Sequence, residues 1–249
     1  MHLKPSDLNI CSYPFFYSII EVDITDVILN LIWGGLRMKK TSPFVITISR
    51  QLGSGGAYVG QQLAKKLNIF YADREIIFQT AKQLSVLEEN LILRDEKVTS
   101  FWQSFLQSCA FCAPEAYIPP QIFIPTDHAL FKTEAEVIEQ IAKEQSAIFI
   151  GRCGSYILRE HPNHISIFLH ADTTYRKKRI QELYNVSEEE SVKMIARSDK
   201  ERAQYNQTHT GMLWTDSSQY NLSIDTSKLG LDRSVDLIMK YIEISEGII

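Results

Sequence analysis

A short apolar segment that leads into a cluster of glycines constrains the fold of this chain more than any other feature. Residues 44–48 are apolar or β-branched, Gly53, Gly55 and Gly56 follow them, and apolar residues at helical spacing come directly afterwards. A strand, a glycine-rich turn and a helix in this order place successive backbone N–H groups and a helix N-terminus around an anion. The segment therefore predicts a phosphate-binding loop near the start of an α/β domain.

This loop differs from the usual phosphate-binding motif, G-x-x-x-x-G-K-[ST], at the lysine that reaches the terminal phosphates. In register, Arg50 replaces the first glycine, Gly55 keeps the second, Gly56 replaces the lysine and Ala57 replaces the hydroxyl residue. The backbone can still surround a phosphate, but the positive charge must come from another side chain. We call residues 50–58 the P-loop, and we expect its phosphate contacts to come from Arg50, Gly53, Ser54, Gly55, Gly56, Ala57 and Tyr58.

Strand and helix patterns alternate along the rest of the chain. Apolar runs of strand length recur at residues 68–73, 147–152, 165–170 and 220–225, and helical patterns occur at 56–67, 74–84, 134–143, 155–159, 173–183, 187–205 and 231–242. The strands are apolar enough to be buried on both faces, which is typical of a parallel sheet covered by helices on each side. We therefore predict an α/β fold with a doubly wound parallel sheet.

Ligands of such sheets bind at the carboxyl ends of the strands. Charged side chains follow the predicted strands at this edge, and they are Arg50, Asp73, Arg152, Asp172 and Asp225.

We expect residues 38–249 to form a single domain, with an acceptor-side insertion at about 85–133 and a lid at about 173–205. The insertion is rich in aromatic residues and proline. The segment Met38-Lys39-Lys40-Thr41 is typical of a bacterial translation start. We therefore expect residues 1–37 to be a non-native or poorly ordered extension, and the alternative is an amphipathic helix that binds a partner or a membrane surface.

The composition argues against several classes of protein. A formal net charge of -4 lacks the basic excess of a nucleic-acid-binding protein. No apolar run approaches the roughly 18–20 residues that a membrane-spanning helix needs. Four cysteines in 249 residues are too few for a disulfide framework, and Cys109 and Cys112 have no second pair or nearby histidine to complete a metal site. We expect a cytoplasmic protein with no metal site formed by its own residues.

Two predicted helices carry charged residues at one-turn spacing. Arg176 and Arg179 are three residues apart, as are Asp199 and Arg202, so each pair shares a helix face. On spacing alone, a solvated surface explains these faces equally well. The other interpretation is a basic lid over nucleoside phosphates, which would supply the charge that the P-loop lacks because arginine binds phosphate in a bidentate way.

Taken in order and with their spacing, several segments resemble the bacterial cytidylate kinase-like family. They are ITISRQ at 46–51, GSGG at 53–56, FYADRE at 70–75, GRC at 151–153, DKER at 199–202, GMLW at 211–214 and IDTSKLG at 224–230. The resemblance covers about residues 43–243 and implies a P-loop nucleoside-monophosphate kinase fold with an acceptor-side insertion and a lid. It also implies ATP as phosphate donor, CMP as acceptor and Mg²⁺ as counter-ion.

The same resemblance implies roles for the matched residues of the core. Gly53 to Gly60 would hold the donor phosphates, and Arg152 would face the acceptor monophosphate. Asp73 and Arg74 would flank the acceptor site. Authentic cytidylate kinases have a longer acceptor loop than the Asp73-Arg74-Glu75 segment of this chain.

In the lid, the resemblance implies that Arg176, Arg179 and Arg202 clamp phosphate groups. Asp199 and Arg202 would contact the acceptor, either its base or its phosphate. Together with Arg152, the three lid arginines are the predicted catalytic residues.

The sequence thus predicts a cytoplasmic nucleotide kinase that acts on small nucleotides, with CMP or dCMP as acceptor and without nucleic-acid or membrane partners. Two alternatives stay open. One is a P-loop kinase for another small acceptor, and the other is a catalytically weak nucleotide-binding module that regulates a partner. The sequence leaves the oligomeric state open.

Overall fold

Within the part of the chain that the structure describes, five strands, all parallel, form one sheet. The computed structural model describes residues 43–89, Trp102 and residues 128–245. The predicted extension 1–37 and most of the predicted insertion 85–133 lie outside the described residues. The strands are β1 Val45–Arg50, β2 Phe70–Ala72, β3 Ala147–Ile150, β4 His164–His170 and β5 Leu222–Asp225.

Helices connect the strands. They are α1 Gly56–Leu67, α2 Arg74–Glu89, α3 His128–Glu144, α4 Gly154–Ile157, α5 Thr173–Tyr184, α6 Glu188–Thr210, α7 Thr226–Leu229 and α8 Leu231–Ser245, with a 3₁₀ turn at Ser217–Gln219. Within the described residues, no helix has the length and apolar character needed to cross a membrane.

The central strands alternate their side chains between two apolar faces, as strand geometry requires. The strand order is β2-β3-β1-β4-β5, so β1 lies between β3 and β4. On one face, Val45 and Phe149 belong to a core that includes side chains of α2 and α3. On the other face, Ile150 and Tyr71 lie against Gly60 of α1. Helices therefore cover both faces, and the predicted doubly wound parallel sheet is confirmed.

Several boundaries differ from the sequence prediction. Residues 85–89 and 128–133, which the prediction left irregular, are helical because α2 continues to Glu89 and α3 begins at His128. β2 begins at Phe70 and not at Asn68, since Asn68 adopts a left-handed conformation that ends α1. The helix predicted at 155–159 is the short α4, and the prediction missed α7.

The start of α6 at Glu188 agrees with the helical pattern predicted at 187–205. Ser187 is the N-cap, and its side chain accepts a hydrogen bond from the N–H of Glu190. The helix continues past the predicted end to Thr210, where Gly211 terminates it with a φ of +70°. Tyr205, the last residue of the predicted helix, and Asn206, the first residue beyond it, line a cavity together with residues that follow β1, β2 and β3.

Candidate functional site

A cavity of about 630 Å³ lies at the carboxyl ends of β1, β2 and β3. Its size is within the range of small-molecule sites, roughly 300–1,000 Å³. Residues that follow these strands form one wall, and the inward face of α6 forms the other. Among its charged lining residues are Arg50, Asp73, Arg74, Glu75, Arg152, Glu190, Lys193, Arg197, Glu201 and Arg202.

The P-loop leaves several backbone donors open. Gly53 and Gly55 have φ values of +85° and +83°, which side chains rarely tolerate, and the Ser54 hydroxyl donates to the carbonyl oxygens of Gln51 and Leu169. Gly55 caps α1 without a side-chain acceptor. Within the described part of the chain, no acceptor meets the N–H groups of Gly55, Gly56 and Ala57. The loop is therefore a built backbone cradle for an anion.

The predicted lid helices hold the P-loop in place. The N–H of Leu52 donates to Oδ1 of Asp199 at 3.2 Å, and Nε of Arg176 donates to the Leu52 carbonyl oxygen at 2.7 Å. Arg176 and Asp199 also form an ion pair with each other, so both bond the loop and one another. The structure thus places these two residues against the P-loop backbone and not in the cavity lining, and their predicted contacts with substrate stay predictions.

Arg152 follows β3 at the cavity floor and has a partner that the sequence analysis missed. Its Nη2 lies 2.5 Å from Oε1 of Glu134, and both side chains are almost fully buried. Tyr205 donates its hydroxyl to Oε2 of Glu134 at 3.2 Å, and the Arg152 guanidinium lies 5.3 Å from the centre of the Tyr205 ring. These contacts fix the direction of the Arg152 guanidinium.

The backbone and the electrostatics at this cluster are both unusual. Arg152 and Cys153 have φ values of +53° and +54°, a strained conformation that clusters at functional sites. Burial raises the pKa of the Glu134 carboxyl, and burial also raises the pKa of the Tyr205 hydroxyl, which keeps that hydroxyl a donor. A carboxylate on the otherwise apolar face of α3 was the sequence signal that could have identified Glu134.

Arg50 and Arg202 place two positive charges close together where the P-loop meets the cavity. Nη1 of Arg202 donates to the carbonyl oxygen of Arg50 at 2.8 Å. Burial and the charge of Arg50 lower the pKa of Arg202 to about 9, and burial lowers the pKa of Arg50. Among the described residues, no carboxylate forms an ion pair with either guanidinium. An anion between them would relieve their repulsion.

Asp73 and Arg74 also line the cavity, where β2 meets α2. Oδ1 of Asp73 accepts the N–H of Ile76 at 3.1 Å, so this carboxylate caps the first turn of α2. Burial lowers the pKa of Arg74 to about 10. Asp73 acts electrostatically on Arg50, and Arg74 is near both Arg50 and Arg152. The role of Asp73 and Arg74 beside an acceptor stays a prediction.

Other predicted residues lie outside the cavity lining. Tyr58 donates its hydroxyl to Asp232 of α8 at 2.7 Å, and Arg179 lies close enough to act on Tyr58 electrostatically. Asp172 and Asp225, at the ends of β4 and β5, are N-caps of α5 and α7. Their carboxylates accept hydrogen bonds from backbone N–H groups at the starts of these two helices.

Thr226 is a structural residue that the sequence analysis did not single out. Its hydroxyl lies 2.9 Å from the carbonyl oxygen of Ser54 and 3.1 Å from that of His170. Because the side chain is fully buried, it ties the end of β5 to the P-loop. The sequence signal that could have identified Thr226 is its position directly after Asp225, the last residue of β5.

The residues present fit a polyphosphate better than they fit a metal ion. In the described ranges, no three His, Cys, Asp or Glu side chains are grouped so that they could hold a metal. The P-loop position that normally supplies a hydroxyl ligand is Ala57. The ligands of a Mg²⁺ ion would therefore come mainly from nucleotide phosphates and water, as is usual for this ion.

Comparison with protein families gives one match, which covers most of the chain. The model of the cytidylate kinase-like family matches residues 45–228. Among curated proteins, none matches the chain.

Comparison with solved structures gives matches that cover about four fifths of the chain. An uncharacterized protein from Eubacterium ventriosum is 26% identical, with a TM-score of 0.60 over 80% of this chain and 98% of that one. Shikimate kinase from Bacteroides thetaiotaomicron is 13% identical, with a TM-score of 0.42 over 80% and 98% of the two chains. Shikimate kinase from Aquifex aeolicus is 15% identical, with a TM-score of 0.41 over 81% and 98%.

Proposed function

The chain belongs to the cytidylate kinase-like family, and from this premise we propose that it transfers the γ-phosphate of ATP to a nucleoside monophosphate. The observation that carries the proposal is a backbone cradle for phosphate next to a cavity lined by five arginines. These are Arg50, Arg74, Arg152, Arg197 and Arg202. The description of the family makes CMP and dCMP the first acceptors to test.

The P-loop is the proposed site of the donor phosphates. Gly53 and Gly55 would let the backbone approach the phosphate oxygens, and the N–H groups of Gly55, Gly56 and Ala57, which meet no acceptor among the described residues, would donate to them. A hydrogen bond from a neutral donor to a charged group contributes about 1.5–3 kcal/mol. Mg²⁺, when bound to the nucleotide, would neutralise part of the phosphate charge.

Arg152 is the proposed anchor of the acceptor phosphate. Glu134 and Tyr205 hold its guanidinium in one direction, so little side-chain entropy is lost when an anion binds. In the reaction, an oxygen of the acceptor phosphate bonds to the γ-phosphorus while the bond to the β–γ bridging oxygen breaks and ADP leaves. This step needs no protein nucleophile, because it depends on positioning and charge stabilisation.

One observation favours a second candidate function. The P-loop has Gly56 and Ala57 where active kinases have a lysine and a hydroxyl residue. A nucleotide-binding module that regulates a partner would retain the cradle without needing those groups. A kinase for another small phosphorylatable acceptor is the remaining alternative.

An assay of ADP release separates these functions. Purified protein is given Mg-ATP with CMP, dCMP, UMP, AMP or no acceptor. Release that depends on CMP or dCMP supports the proposed function, whereas nucleotide binding without release in any mixture supports the regulatory module. Release that is the same with and without each nucleotide contradicts a nucleotide kinase.

A pair of variants links that activity to the cavity. Arg202→Ala removes a charge beside the P-loop and should lower turnover by about 10²–10³-fold. Arg159→Ala is the matched control, because Arg159 is exposed and lies outside the cavity lining. Equal rates for the two variants would separate the activity from this cavity.

A further inference from the structure

The side chain of Arg50 fills a corridor between two glycines. A Cβ atom added to Gly56 would lie 2.6 Å from Cγ of Arg50, and one added to Gly151 would lie 2.0 Å from Nη1. Real Cβ atoms do not approach other heavy atoms so closely. Both positions therefore exclude a side chain as long as Arg50 occupies this corridor.

The two ends of the corridor connect the two halves of the site. Gly56 is the first residue of α1 and stands where the usual P-loop motif has its lysine. Gly151 follows β3 and directly precedes Arg152. The Arg50 stem thus passes over the first residue of α1, and its guanidinium lies beside Gly151, next in sequence to the arginine proposed to face the acceptor phosphate.

The charge of Arg50 is not neutralised by the part of the chain that the structure describes. Arg152 is paired with Glu134, Arg176 with Asp199 and Arg197 with Glu201. No described residue accepts a hydrogen bond from the Arg50 guanidinium. Asp73 acts on it electrostatically without bonding to it, and the charge of Arg152 opposes it. A desolvated cation with open N–H groups is suited to bind an anion.

We propose that Arg50 replaces the missing P-loop lysine. Its stem crosses the lysine position, Gly56, from the end of β1, and its guanidinium, which lies beside Gly151, binds the terminal phosphate of the donor. Gly56 is a glycine because this side chain needs its space. This inference deepens the proposed function and depends on it. It differs from the sequence-based expectation that lid arginines supply the charge, since Arg176 is already engaged by Asp199 and Leu52.

The geometry makes a specific prediction for two substitutions of similar length. Arg50→Met retains an unbranched stem in the corridor without its charge, whereas Arg50→Lys retains a charge without the planar fork. Inorganic tripolyphosphate is a suitable probe, because it presents the donor's phosphates without a base or an acceptor. We expect Arg50→Met to lower its affinity about 10- to 100-fold and Arg50→Lys to lower it less.

Calorimetric titration with tripolyphosphate measures these affinities, and thermal unfolding confirms that each variant is folded. Arg159→Met is the control for loss of an exposed arginine. Wild-type affinity in Arg50→Met overturns the inference. It is also overturned if Arg202→Met loses the affinity while Arg50→Met retains it, because the lid would then supply the charge.

A double variant that moves the positive charge from residue 50 to residue 56 tests the replacement directly. In Arg50→Gly combined with Gly56→Lys, the stem leaves the corridor and a lysine occupies the usual position. We expect this double variant to regain at least tenfold of the tripolyphosphate affinity that Arg50→Met loses. Gly56→Lys alone should stay weak, since Arg50 still fills the space. An affinity of the double variant as low as that of Arg50→Met contradicts the replacement.

The binding readout separates this inference from the proposed function. If wild-type protein releases no ADP with any acceptor but Arg50→Met still loses tripolyphosphate affinity, the kinase assignment fails and the role of Arg50 in binding stands. If the wild type phosphorylates CMP and Arg50→Met does so equally well, with equal affinity for the probe, the kinase assignment stands and this inference fails.

Discussion

The ends of β1 and β3 carry arginines at matching positions, yet the two side chains have opposite surroundings. Ile48 pairs with Ile150 in the parallel register, and Arg50 and Arg152 follow two residues later on each strand. Arg152 is bonded to Glu134 and stacked near Tyr205, whereas Arg50 passes between two glycines with no described acceptor. We infer that the buried Arg152 is positioned by the fold through its carboxylate, while the partly buried Arg50, which has no ion pair among the described residues, is available to a ligand.

A third basic side chain, that of His164, is neutral. His164 lies at the opposite edge of the sheet, where its Nε2 is 2.7 Å from the Thr47 hydroxyl. Burial, assisted by the nearby His161, lowers the pKa of His164 to about 4, so the ring is neutral at pH 7. Arg152, Arg50 and His164 therefore illustrate three states of a basic side chain, namely paired with a carboxylate, charged without an ion pair among the described residues, and uncharged.

The largest expected effect comes from breaking the paired arginine. Glu134→Ala leaves Arg152 as a buried charge without a partner and should lower the free energy of unfolding by about 3–5 kcal/mol. Glu134→Gln preserves the volume and one hydrogen-bond acceptor, so it should cost less. Urea denaturation of the three proteins measures both. A loss below about 1 kcal/mol in Glu134→Ala would contradict a structural role for the ion pair between Arg152 and Glu134.

The open arginine can be probed through the glycine beside it. Gly151→Ala introduces both left-handed strain and a clash with Arg50, whereas Gly211→Ala introduces strain alone, because no atom lies within 4 Å of that Cβ position. The strain costs about 1–2 kcal/mol in each, and in Gly151→Ala the Arg50 side chain must also leave its rotamer, which adds about 0.5–1.5 kcal/mol. Urea denaturation compares them, and equal losses would place Arg50 elsewhere in solution.

The neutral histidine predicts a pH dependence. Between about pH 4 and 6.5 the unfolded chain binds more protons at His164 than the folded chain does, so stability should fall as the pH is lowered through this window. The expected loss between pH 7 and pH 5 is about 1–2 kcal/mol. Denaturation of wild type and His164→Gln over this range isolates the contribution. An identical pH slope in both proteins would mean that the pKa of His164 is the same in the folded and unfolded chains.

The smallest effect is expected at the hydroxyl that supports the paired arginine. Tyr205→Phe removes one hydrogen bond to Glu134 and retains the ring beside Arg152, so it should cost about 1 kcal/mol of stability. Thermal unfolding measures the change. A loss as large as that of Glu134→Ala would make Tyr205, and not Arg152, the main partner of the carboxylate.

Local patterns predicted the fold and the P-loop, because the strands, glycines and helices that define them are adjacent in sequence. The partner of Arg152 could not be found in this way. Glu134 is 18 residues earlier in the chain and reaches Arg152 only after α3 packs on the sheet. The sequence predicts where Arg50 lies along β1 but not where its side chain points. The path of this side chain over Gly56 toward Gly151 depends on side-chain packing.

Transfer of a labelled γ-phosphate is the direct test of whether the P-loop and the arginine-lined cavity act together on two nucleotides. Wild-type protein is incubated with ATP labelled at the γ-phosphate and with CMP, and the products are separated by chromatography. If the protein transfers the γ-phosphate to CMP, the label appears in CDP. Label that stays in ATP or appears only as inorganic phosphate, with CMP and with every other nucleoside monophosphate, would contradict it.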